Sequence, residues 1–82
     1  MLIIKRELKI LVKGLKLEVD YKSPSSFVLF DICDLDGRIH ISGKIEPNIL
    51  HNINVAVLKK GQFHFFIIDE GEVVRQLFNL DS

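Results

Sequence analysis

The chain has 82 residues and a mass of 9.4 kDa, room for one domain with a small core, so residues 1–82 are read as a single unit. Hydrophobic residues make up 48% and charged residues 27%, which excludes a disordered tail because enough apolar surface is present to offset the entropy of ordering. Eleven Lys and Arg balance eleven Asp and Glu, so the chain as a whole is not a polycation built for phosphate.

The single cysteine, Cys33, forms no intramolecular disulfide, and packing alone has to hold the domain together. No apolar run reaches the ~18 to 20 residues of a membrane-spanning helix. Met1 to Ile4 is cut off by Lys5, Arg6 and Glu7 before it becomes a signal-peptide apolar region. Neither a membrane span nor an export signal is expected from these residues.

The even positions from Leu2 read Leu2, Ile4, Arg6, Leu8, Ile10 and Val12, while Lys5, Glu7, Lys9 and Lys13 occupy the odd ones. That period of two predicts a half-buried strand. After Gly14 the phase reverses, and Leu15, Leu17, Val19 and Tyr21 become the apolar set. A hairpin follows. With Lys13-Gly14 as its two-residue turn, Val12 faces Leu15, Ile10 faces Leu17, Leu8 faces Val19 and Arg6 faces Tyr21. Ser23 to Ser26, around Pro24, is a loop. Phe27 to Cys33 then runs almost without a polar break, which predicts a strand covered on both faces. Asp34-Leu35-Asp36-Gly37 turns the chain into a second alternating run, Arg38 to Ile45, pairing Ile32 with Ile41, Val28 with Ile45 and Cys33 with His40. Glu46, Pro47 and Asn48 break that run. Ile49, Ile53, Val55 and Val57 share one parity and predict a short strand, although Ile49, Leu50, Ile53 and Val57 also fit one helical face. Lys59-Lys60-Gly61 leads into a last hairpin with Glu70-Gly71 at its tip, where Phe63 faces Phe78, Ile67 faces Val74 and Phe66 faces Arg75. These elements predict an all-β fold, a small antiparallel immunoglobulin-like β-sandwich of about seven strands, with a small closed β-barrel as the alternative.

Within Phe27 to Leu80, the apolar strand ending in Asp34-Leu35-Asp36-Gly37-Arg38 is followed by Ile53-Asn54-Val55, then Leu58-Lys59-Lys60-Gly61-Gln62-Phe63, then Ile67-Ile68-Asp69 and a closing strand. That order resembles the small immunoglobulin-like domains of Bacteroidetes surface proteins, among them the C-terminal sorting domain of the Por (type IX) secretion system. The resemblance implies a sandwich fold, a cell-surface or secreted setting and, as one option, a sorting role. Phe63 stands where that family has a tyrosine, and Asn79-Leu80-Asp81-Ser82 lacks the basic residue of a sorting-domain terminus. The likeness therefore bears on fold and lineage more than on transport.

Asp31, Asp34 and Asp36 before Gly37 bring carboxylates near a turn, but Cys33 and Leu35 interrupt the alternation of a calcium loop and no later bidentate Glu follows. Cys33 opposite His40 would bring two soft ligands, or a thiol and a base, together. Two ligands are too few for a closed zinc site, and no orienting acid or oxyanion donor stands beside them. This pair is nonetheless the basis of the alternative reading, a small metal-binding or catalytic protein. Lys5, Lys9, Lys13 and Lys16 lack the stacking aromatics of a nucleic-acid reader and suit a solvent-facing strand. No nucleic-acid partner and no cofactor are expected.

The last hairpin is apolar on both faces: Phe63, Phe65, Ile67, Val74 and Phe78 on one, Phe66, Ile68, Val73 and Leu77 on the other. A two-layer fold of this size hides only one of them in its own core. Either the first hairpin wraps over the second face and closes a barrel, or another chain covers it. The expectation is a non-catalytic protein-interaction module whose interface is Phe66, Ile68, Val73 and Leu77 or a strand edge, with a protein partner or a homodimer.

Overall fold

A computed structural model of the chain describes residues 5–81. They form seven strands: β1 (Glu7–Lys13), β2 (Lys16–Lys22), β3 (Val28–Asp34), β4 (Ile39–Ile45), β5 (Leu50–Asn54), β6 (Gly61–Asp69) and β7 (Glu72–Leu80). Two antiparallel sheets result, a three-stranded one in the order β1-β2-β5 and a four-stranded one in the order β4-β3-β6-β7. The fold is an all-β sandwich. Among the described residues no helix is present, and hence none long and apolar enough to cross a membrane. The closed-barrel alternative is not what forms: β1 and β7 come together along one side, yet they share no ladder and the sheets remain separate.

The core lies between the strands that have neighbours on both sides. β2 turns Leu17, Val19 and Tyr21 inward, β6 turns Phe63, Phe65 and Ile67 to meet them, and β3 adds Val28, Phe30 and Ile32. Each is almost fully removed from water, and burying a side chain of this kind contributes about 1.5–3 kcal/mol relative to leaving it exposed. Phe30 stacks on Phe65 with ring centroids 5.5 Å apart and planes 9° from parallel. Its ring leans over Gly43 on β4, where an added Cβ would stand 2.8 Å from a ring carbon. Glycine at that position makes room for the stack.

Three turns depart from or refine the sequence reading. In the first hairpin the ladder joins Val12 to Leu17, Ile10 to Val19 and Leu8 to Tyr21, so the pairs predicted around a Lys13-Gly14 turn are displaced by two residues. Gly14, at φ 59°, takes the first central position of the turn and Leu15 the second, the arrangement in which a glycine supplies the left-handed residue. A shift of two keeps every side chain on its predicted face. Leu2 and Ile4 lie outside the described residues.

In the second hairpin Val28 pairs with Ile45 and Ile32 with Ile41 as expected, but a β-bulge then sets Cys33 opposite Ile39. The predicted pairing of Cys33 with His40 is thereby overturned. An extra residue in one strand moves the following side chains to the other face. Nor is β3 covered on both faces, since Leu29 points to solvent. Residues 49–57 resolve in favour of a strand. It is short, because the Pro47-Asn48 turn with Asn48 at φ 70° precedes it and a turn closed by the Leu58 amide on the Val55 carbonyl follows it. Ile49 and Val57, two members of the helical face considered above, both end exposed. The last hairpin pairs as predicted throughout, around Glu70 and Gly71 at φ 49° and 87°, the two left-handed residues of a type I′ turn.

Candidate functional site

The four-stranded sheet turns one face to the core and the other outward. Its registers arrange the outward side chains in three rows running across the strands. One row is Lys44, Leu29, Ile68 and Val73, the next Ser42, Asp31, Phe66 and Arg75, the third Ile39, Cys33, His64 and Leu77. All four residues predicted to form an interface, Phe66, Ile68, Val73 and Leu77, share this face, with Ile68 directly opposite Val73. Phe66 and Ile68 are half-buried among their neighbours, whereas Leu29 is 48%, Ile39 61%, Val73 62% and Leu77 47% exposed. The first hairpin packs against the inner face of the β6–β7 pair, so it does not supply the cover considered from sequence.

Leu29 and Ile39 were not among the predicted interface residues. The unbroken apolar run through β3 concealed Leu29, because a strand covered on both faces and a strand with one apolar face in solvent look alike in sequence. Ile39 reaches this face only through the bulge beside Cys33. Two shallow depressions flank Leu29, one lined by Phe27, Ile68 and Gly71, the other by Asp31, Gly43 and Lys44. Lys44 Nζ lies 4.8 Å from the centre of the exposed Phe27 ring, a cation–π contact at the rim. Asp31 accepts a hydrogen bond from Ser42 Oγ at 2.7 Å, and Arg75 has no ion-pair partner among the described residues.

A second cluster, buried at one end of the sandwich, was not singled out from sequence. Asp69 closes β6 on the inner face and is 1% exposed. Its Oδ2 accepts hydrogen bonds from Ser23 Oγ at 2.6 Å, Tyr21 OH at 2.8 Å and Arg6 Nε at 3.0 Å, while Ser25 Oγ donates to Oδ1. Burial alone would push this carboxyl up, but the bonds from Ser23, Ser25, Tyr21 and Arg6 together hold it well below the usual carboxylate range. Burial also raises the Tyr21 phenol, helped by its bond to Asp69, to about 12. Asn48 extends the cluster: its amide N donates to Tyr21 O at 2.7 Å and its Nδ2 to Ser23 O at 2.7 Å. A sequence signal existed, because Asp69 continues the inward parity of Phe63, Phe65 and Ile67 and so puts a carboxylate at a core position. With both oxygens engaged by donors, this carboxylate is a structural tie between the sheets.

The residues of the alternative reading separate. The bulge turns His40 away from Cys33, and its Nε2 instead meets Asp34 Oδ2 at 2.9 Å while the ring stands edge-on to Phe63. Asp34 Oδ1 accepts the backbone N–H groups of Asp36 and Arg38 at 2.9 and 3.0 Å. The bond from His40 and these two bonds hold the Asp34 carboxyl below its ordinary value. Its oxygens thus serve the turn, while Asp31 lies on the outer face. Among the described residues no three His, Cys, Asp or Glu converge on a point where a metal ion would sit. Cys33 has His64 as its cross-strand neighbour. Burial first, and the charges of Asp31 and Asp34 after it, push the thiol up, which keeps it protonated at neutral pH, whereas the thiolate is the form that attacks or ligates. No family model matches the chain, and no curated protein matches it.

Proposed function

We propose that this chain is a non-catalytic protein-interaction module that binds through the outer face of its four-stranded sheet. One observation carries the reading. Phe66, Ile68, Val73 and Leu77, with Leu29 and Ile39, place apolar side chains on the outer face of all four strands, with Ser42, Asp31, His64 and Arg75 interspersed among them and Lys44 at one edge. Single exposed apolar side chains are ordinary, whereas several gathered on one sheet face with charged groups among them are a feature of interaction surfaces.

An immunoglobulin-like classification is part of the proposal. The order β1-β2-β5 against β3-β6-β7, with β4 added beside β3, is the layout of such sandwiches when the extra strand joins the sheet that contains the last two strands. The motif order that carries the likeness to Bacteroidetes surface domains falls at the β3–β4 turn, the end of β5 and the start of β6. Any sandwich of this strand order needs corners there, so the likeness supports a surface-type binding domain and gives a sorting role no separate support.

The test is to place a photo-crosslinking amino acid at Val73 or Leu77 in the cell that makes the protein, with Asn52, exposed on the outer face of the three-stranded sheet, as the control. Covalent adducts from Val73 and Leu77 but not from Asn52 are expected. Equal labelling from all three sites, or none from Val73 and Leu77, overturns the reading.

A further inference from the structure

Resting on that reading, we infer that the partner of this face is a second copy of the same chain, stacked face to face about a two-fold axis that runs along β6. The three rows carry the inference. A two-fold axis relating two facing sheets lies in the plane between them, and where the strands of the two copies stay aligned it runs close to the strands or close to their perpendicular. With the axis along β6, each β3 lies over the other copy's β7 and each β6 over its equivalent. Asp31 then faces Arg75 of the second copy twice over, Leu29 faces Val73, Cys33 faces Leu77, and Phe66 and Ile68 meet their own equivalents. Every apolar position of the three strands is matched with an apolar one, and the two opposite charges are matched with each other. With the axis across the strands through Phe66, Asp31 would oppose Asp31 and Arg75 would oppose Arg75, an arrangement that like charges disfavour.

One further feature agrees with the first arrangement: Arg75 is exposed and has no ion-pair partner among the described residues. The overlap is small: three strands at ~4.8 Å and about seven residues at ~3.3 Å project to roughly 330 Å², with β4 and its Ile39 outside it, against ~800 Å² per partner in a standard stable complex. The dimer is therefore a weak one, with dissociation in the micromolar range or above.

Sedimentation velocity on the purified chain from about 10 μM to 1 mM, a span set by that affinity class, should show the mean mass rising from monomer towards dimer. Arg75→Asp alone and Asp31→Arg alone should each weaken association by ~10-fold or more, and an equimolar mixture of the two variants should associate at least as tightly as the unaltered protein. Dichroism and thermal melts establish that each variant is folded. Should Asp31→Arg fail to fold, Arg75→Asp decides alone, because Arg75 is exposed. A monomer over the whole span, an Arg75→Asp variant that associates undiminished, or a mixture weaker than either variant by itself overturns the proposal. The crosslinking at Val73 separates this failure from that of the interaction reading. Adducts with a different protein remove the second copy and keep the binding face, whereas no adduct removes both.

Discussion

Asp69 is the residue on which the end of the sandwich depends. Tyr21, Ser23 and Ser25 come from β2 and the loop after it, Arg6 from ahead of β1, and all four donate to one carboxylate that water does not reach. Asp69→Ala should cost about 3–5 kcal/mol, because it leaves the buried donors without an acceptor. Urea unfolding at neutral pH measures this, and Arg6→Ala should cost less, since its guanidinium still reaches water. Acid sensitivity has a definite sign. The folded-state value of Asp69 lies below its ordinary 3.8, so the stability it confers is complete above that range and is lost as pH falls below 3.8 towards the depressed value. Asp34, also held low, acts in the same direction. At the alkaline end the sign reverses: Tyr21 titrates near 12 in the folded chain against 10.0 unfolded, so stability declines as pH rises from 10 to about 12. Tyr21→Phe should abolish that decline in thermal melts, and a decline that persists would assign it elsewhere. Cys33, buried and kept protonated, should react slowly with a thiol reagent in the native protein and at the ordinary rate in denaturant.

At the scale of the strands, β4 owes its place to a missing side chain. Gly43→Ala would set a methyl group 2.8 Å from the Phe30 ring, which the stack on Phe65 prevents from moving aside. The expected loss is about 1–3 kcal/mol. Phe30→Leu should cost less in the Gly43→Ala background than in the unaltered chain, a coupling that a double-mutant cycle measures. The hairpins show how much of the fold was legible. Alternation gave the correct inward faces of β1, β2, β6 and β7, because period two is a property of the backbone itself. Register was legible only where the turn residues left one solution. Glu70-Gly71 did so, with both residues left-handed. Gly14 fits a two-residue turn either as its first or as its second member, and the structure uses the first. The bulge at Ile32 and Cys33 had no sequence signal, and it alone carried His40 to Asp34 and removed the suspected thiol–imidazole pair.

For the molecule as a whole, topology sets the speed of folding. Neither sheet follows chain order, since β5 joins β2 and β6 lies between β3 and β7, so stopped-flow refolding should proceed in roughly milliseconds to seconds, the range of sandwiches dominated by distant pairings. The binding face was legible in part. Phe66, Ile68, Val73 and Leu77 stood out because the last hairpin holds more apolar residues than one core can take, whereas Asp31, Arg75 and Leu29 join them only once β3 is known to lie beside β6. Their spacing across the sheet, not their presence, makes the face match itself. The cluster at Asp69 has one further consequence. Arg6 and its acceptor are separated by 63 positions, and the ribosome delivers every donor long before the acceptor. A nascent chain that stops before β6 leaves the hydroxyls of Tyr21, Ser23 and Ser25 to water, without the carboxylate that gathers them, and it also lacks the aromatic strand that lies between β3 and β7 in the larger sheet. Native assembly accordingly waits for the final hairpin to be synthesised, and fragments ending before it are left to chaperones and proteases.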